Sequence, residues 1–193
     1  MVIALWMRDQ GYMDEALVCE TAMDVYWRAG EWEALCNRDV LDDGTAVAFL
    51  LGDGDRGLRT KTGRFQGVIL DSAALTDTWR AKQQDKGGRP DERVFNFHMQ
   101  HFKKVWDYAN KFSNLDWIGT PHALRHAGAA RDVEQNTRSL EAVRRRGRWR
   151  AADSVARYTK TWLLIQARAR APPDLFAQGK NLVSERGARH IRE

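Results

Sequence analysis

The chain has 193 residues, 43% of them hydrophobic and 30% charged, with eight Trp and seven Phe. That size and aromatic content exclude a disordered or low-complexity chain and are enough for one domain, or two small ones, with a real core. The net charge of +5 is unevenly spread: residues 1–130 carry 16 basic and 19 acidic side chains, whereas residues 131–193 carry 15 and 7, so the second part either meets a polyanion or presents a solvated basic face.

No apolar run approaches the roughly 20 residues that cross a bilayer, and the first nine residues lack the basic region and cleavage site of a secretion signal. Only Cys19 and Cys36 are present. They make no disulfide framework and no zinc knuckle, and are read as core thiols in a reducing, intracellular setting.

Apolar residues recur at helical spacing through Ala16, Leu17, Cys19, Met23, Val25, Tyr26 and Trp27, then resume at Trp32, Leu35 and Cys36 after Gly30. Two consecutive helices are predicted. From Thr45 the texture changes to short apolar stretches at 46–51 and 66–70, separated by LGDGDRG and the turn at Thr62 and Gly63, which predicts a small antiparallel sheet. The glycines do not form GxGxxG between a strand and a helix, so they read as a hairpin turn and not as a nucleotide cradle.

Asp71 is a candidate N-cap for a helix to Gln84, closed by the surface loop DKGGRPDE at 85–92. Met99, Phe102, Val105, Trp106 and Ala109 share one face of a helix over 98–112, and Pro121 opens another where proline is tolerated. Helices at 137–146 and 152–168 follow, with Pro172 and Pro173 ending the series. The reading is a mainly α domain with a small antiparallel sheet (α+β) over residues 1–170, and a tail or docking arm at 171–193.

Five local patterns occur in one order: RAGE at 28–31, KTGR at 61–64, HALRH at 122–126, GRW at 147–149, and Tyr158. Alone, each is ordinary. Arg28 and Glu31 fit a surface helix pair, HxxR arises by chance, and Tyr158 suits a core. Together, in this order and with Trp149 nine residues before Tyr158, they resemble the catalytic domain of the tyrosine recombinase (phage integrase) family, from about Met13 to Thr161.

The resemblance implies that Arg28, Lys61, His122, Arg125, Trp149 and Tyr158 are catalytic, with Glu31 and His126 in support. Phosphodiester cleavage builds charge on nonbridging oxygens, which two guanidiniums grip with planar bidentate bonds. His122 and the Trp149 indole N–H add donors, and Lys61 is a fitting general acid for the departing 5′ oxygen. Tyr158 is then the nucleophile, needing an arginine cluster or a proton acceptor such as His122 because a phenol of pKa about 10 attacks poorly at neutral pH. The family also implies a 3′-phosphotyrosyl intermediate, rejoining without ATP, and recombination or integration of a mobile element as context.

Arg144, Arg145, Arg146, Arg148 and Arg150 form a basic run beside Trp149, read as a phosphate-contacting ridge. His98 with His101, and His122 with His126, have metal-compatible spacings, but no HExxH or thiol motif completes a site. No metal and no cofactor is expected. The expected partner is double-stranded DNA, within the cell, with no membrane association. A homotetramer on DNA would pack through Trp162, Leu163, Leu164, Ile165, Leu175 and Phe176, residues that serve equally to cap their own core.

Two departures from the family stand out. On this resemblance the sequence is expected to start directly in the catalytic domain, without the helical core-binding domain that closes a clamp on DNA in the family, and Arg148 stands where the family typically has Gly. Two other readings therefore stay open: a catalytically inactive DNA-binding remnant, and a type IB topoisomerase-like enzyme with the same Arg, Lys, Arg and Tyr chemistry.

Overall fold

The computed structural model describes residues 2–52, 66–85, 89–115, 118–159, 165, 166, 169–171 and 174. Helix α1 (Val2–Asp9) and helix α2 (Met13–Val25) open the chain and pack on each other. Helix α1 lies outside the helices that the sequence predicts. It is a two-turn element whose Ile3, Ala4, Leu5 and Met7 are buried, too short for periodicity to separate from a loop.

Helix α2 is buried almost all round and holds its acids inside by pairing them. Glu15 meets His101 at 2.6 Å, Glu20 meets Arg8 at 2.5 Å, and Asp24 accepts from the Asp71 amide at 2.9 Å. Buried carboxylates persist only when partnered in this way. The expected break at Gly30 falls earlier. Tyr26 ends α2 in the left-handed region (φ 55°), and Gly30 sits inside the short helix α3 (Ala29–Glu33).

A 3-10 turn (Asn37–Asp39) leads into a sheet of strands β1 (Val40–Asp42), β2 (Val47–Leu51) and β3 (Gln66–Ile69), in that order and antiparallel throughout. Phe49 lies opposite Val40 and Val68. In β2, Val47, Phe49 and Leu51 face the core, the alternation expected of a half-buried strand. Strand β1 has no counterpart in the sequence reading, because three residues, two of them exposed, carry no pattern.

Helix α4 (Ala73–Asp85) lays Trp79 across β2, and helix α5 (Met99–Phe112) buries Phe102, Val105, Trp106 and Ala109, as its spacing predicts. Trp79 sits edge-on to Trp27, Phe49 and Phe95 with centroids 4.8–5.9 Å apart, and its indole N–H donates to Thr21 at 3.0 Å. These rings are the centre of the main core.

Helix α6 (His122–Glu134) follows Pro121 and crosses α2 closely. Gly128 makes that possible, since a Cβ there would lie 2.0 Å from the Met23 carbonyl oxygen. Helix α7 (Leu140–Arg146) starts at Ser139, whose hydroxyl caps the Ala142 amide at 3.2 Å. Helix α8 (Asp153–Ala156) and a 3-10 turn (Arg157–Thr159) complete the described fold, so the helix expected over 152–168 is broken by 157. A second, smaller core gathers Tyr26, Ala129, Val143, Val155 and Tyr158. Among the described residues no helix is long and apolar enough to cross a membrane.

Candidate active site

The site grows from the end of α2. Because Tyr26 turns into the left-handed region, its carbonyl is left outside the helix ladder and points to α6 and the 147–149 loop. Arg28 then adopts an extended conformation as N-cap of α3, and Glu31 in the first turn accepts from its amide at 2.7 Å and its guanidinium at 2.9 Å. A carboxylate at this position also complements the helix dipole.

Arg125 projects from α6 and is 1% exposed. Its two terminal nitrogens donate to the Tyr26 and Gly147 carbonyls, and its guanidinium lies 4.3 Å from the Trp149 ring centroid. The stacking requires Gly147, where any Cβ would collide with the Trp149 ring. Burial, then the neighbouring Arg28 and Arg148 charges, press the Arg125 guanidinium down to about 9, so it stays charged at neutral pH.

Arg148 completes the cluster. Its side chain is 6% exposed and donates to Glu31 at 2.6 Å and to the Tyr26 carbonyl at 3.2 Å, while its own carbonyl accepts from Arg28 at 3.3 Å. Its Nε is buried without a partner among the described residues. Arg28 and Arg148 thus share the Glu31 carboxylate while Arg125 rests on backbone carbonyls, an excess of positive charge suited to an anion with several oxygens.

Tyr158 also packs against Trp149, with ring centroids 5.6 Å apart, and is 7% exposed. Its hydroxyl makes a 2.5 Å hydrogen bond with Nδ1 of His126, not with His122. His122, exposed one turn earlier on α6, stands edge-on to His126 at 4.7 Å. Burial raises the Tyr158 phenol to about 12 against the opposing charges of Arg157 and Arg125. Burial also lowers His126 to about 4 and, less strongly, His122.

Five of the six expected catalytic residues therefore come together: Arg28, His122, Arg125, Trp149 and Tyr158. Lys61 lies outside the described residues. Both expected supporting residues, Glu31 and His126, are in direct contact with members of the group.

No family model matches this sequence, and no curated protein matches it. Solved structures do. A pre-cleavage complex of the XerH site-specific recombinase bound to difH substrate superposes with TM-score 0.58 at 16% identity, covering 80% of this chain and 44% of the recombinase chain. A post-cleavage complex of XerH with a palindromic difH substrate gives 0.57 at 17%, covering 79% and 44%. The fold is tyrosine-recombinase-like. This chain spans less than half the length of those recombinase chains.

Within this recombinase-like fold the expected basic ridge divides. Arg146 turns inward to Asp71 at 2.6 Å, Asp24 at 3.5 Å and the Asp24 carbonyl at 3.0 Å, and Arg148 is held by Glu31, so neither stands on an outer ridge. The two arginines turn inward because α2 and α3 bring buried acids, Asp24 and Glu31, that need cations. Arg144 binds Glu141 and the Trp149 and Arg150 carbonyls, and Arg145 binds Glu141 at 2.9 Å while remaining exposed. Arg150 is exposed.

Two further contributors carry no signal in the sequence: the Tyr26 carbonyl, which belongs to the backbone, and the Tyr26–Asp132 bond at 2.5 Å that anchors it. Asp132 also receives Arg138 at 2.5 Å and Arg131 at 3.0 Å. Among the described residues no group of three or more His, Cys, Asp or Glu side chains is gathered to hold a metal.

Proposed function

We propose that this protein breaks and rejoins DNA through a covalent link to Tyr158, as a site-specific recombinase or integrase-like enzyme. One observation carries the reading: Arg28, Arg125 and Arg148, Trp149, both helix α6 histidines and the Tyr158 phenol meet around one locus, drawn from segments far apart in sequence. The similarity to recombinase structures solved with DNA supports it. The guanidiniums stabilise charge on the nonbridging oxygens of a phosphodiester, and the phenol attacks phosphorus. Lys61 is assigned the proton for the 5′ leaving oxygen.

The test is a nicked suicide duplex, which traps the covalent adduct. Tyr158→Phe should abolish the adduct while duplex binding stays nearly intact. An adduct that survives the change would remove Tyr158 from the mechanism.

A second reading, a DNA-binding remnant without cleavage, is favoured by one specific feature. Arg125 is enclosed and donates both terminal nitrogens to backbone carbonyls. It predicts a salt-dependent gel shift with no adduct on any substrate.

A further inference from the structure

We propose that His126, rather than His122, is the base that takes the phenolic proton of Tyr158, at Nδ1, as the phenol oxygen attacks phosphorus. This rests on the cleavage reading above. The carrying observation is geometric: Nδ1 lies 2.5 Å from the phenol oxygen, within reach for direct proton transfer. His122 and His126 lie four residues apart on one helix face, and only the deeper of the two meets the phenol. His126 is half-buried and fixed by contact with two rings, whereas His122 is exposed.

The surroundings set the proton inventory. The charged or titratable groups influencing the His126 ring are His122 and Arg125 on its own helix and Arg157 from the following 3-10 turn; Tyr158, from that same turn, hydrogen-bonds it. Burial and those cations keep the ring neutral in the free protein and the phenol keeps its proton, and the proposal places the one ring proton on Nε2, leaving the Nδ1 lone pair facing the phenol. A phosphodiester docked against Arg28 and Arg125 brings negative charge next to the same cations. It offsets their field and makes Nδ1 more basic at the moment the proton must move.

The step balances. The phenol oxygen forms the bond to phosphorus, the bond from phosphorus to the 5′ oxygen breaks, the phenolic proton passes to Nδ1, and the leaving oxygen takes a proton from the general acid assigned to Lys61. Rejoining runs in reverse, with the His126 imidazolium returning its proton to the departing phenolate.

Two measurements decide it. In the full chain with nitrogen-15 histidine, His126 should show a bare, hydrogen-bonded Nδ1 and a protonated Nε2, and Tyr158→Phe should shift the Nδ1 resonance; a proton resident on Nδ1 at neutral pH overturns the proposal. In single-turnover adduct formation on the nicked duplex, His126→Ala and His126→Gln should both slow cleavage by about 10²–10⁴-fold with duplex affinity held. Gln keeps a hydrogen bond to the phenol but cannot take a proton, so a merely positioning histidine would be rescued by it and a base would not. Added imidazole should restore the Ala variant. Wild-type rates and an unchanged pH profile in both variants would overturn the base and leave cleavage standing. A wild-type chain that forms no adduct would overturn the cleavage reading itself.

Discussion

The molecule has two cores built on opposite principles. Around Trp79 the main core sets aromatic edges against aromatic faces, with Trp27, Phe49, Phe95, Trp32 and Phe102 in contact and few polar atoms inside. In the smaller core every large ring meets a polar partner, for Tyr26 donates to Asp132, Tyr158 bonds His126, and Trp149 lies beneath Arg125. Apolar burial gives the first its stability without regard to direction. The second fixes directions, because buried charges and hydroxyls must each find a defined partner. Undirected apolar burial and directed polar contacts are thus assigned to separate parts of one fold.

That division can be broken from either side. Trp79→Ala should cost about 3–5 kcal/mol in chemical denaturation, the usual effect of a large aromatic cavity. Arg125→Ala should cost about 1–3 kcal/mol for the Gly147 carbonyl it orphans, the Tyr26 carbonyl keeping Arg148, and also abolish the adduct; Lys, with one ammonium, should restore neither fully.

Next comes pH. His126 titrates near 4 in the fold against an ordinary 6.5, so the unfolded chain binds that proton first and stability should decline as pH falls from 6.5 toward 4. His126→Gln should flatten this part of the stability profile; an unchanged slope would show that the ring is not held neutral by the fold. The smallest effect separates two neighbouring cations. Arg145→Ala should change stability by less than about 0.5 kcal/mol and make the salt dependence of DNA affinity shallower by about one charge, whereas Arg146→Ala should destabilise the fold and leave that slope alone.

Much of this is readable in sequence, and for different reasons. The face of α5 and the alternation of β2 are legible because burial follows helical and strand periods over several residues. Helix α1 and strand β1 are not, being too short to repeat anything. Order and spacing name the residues that surround Trp149. They do not reveal that His126 takes the phenol, since two histidines four apart share a face and only depth separates them. Nor does charge density show that Arg146 and Arg148 face inward: a run of arginines has the same composition whether it meets solvent or buried carboxylates several helices away.

The left-handed turn at Tyr26 has a mechanical consequence. Tyr26 belongs to the small core and Trp27, its immediate successor, to the large one, and the carbonyl between them receives both Arg125 and Arg148. One backbone oxygen at the seam of the two cores therefore sets where both guanidiniums sit, with Gly147 and Glu31 as their second anchors, so a substitution that displaces this carbonyl would disturb Arg125 and Arg148 together.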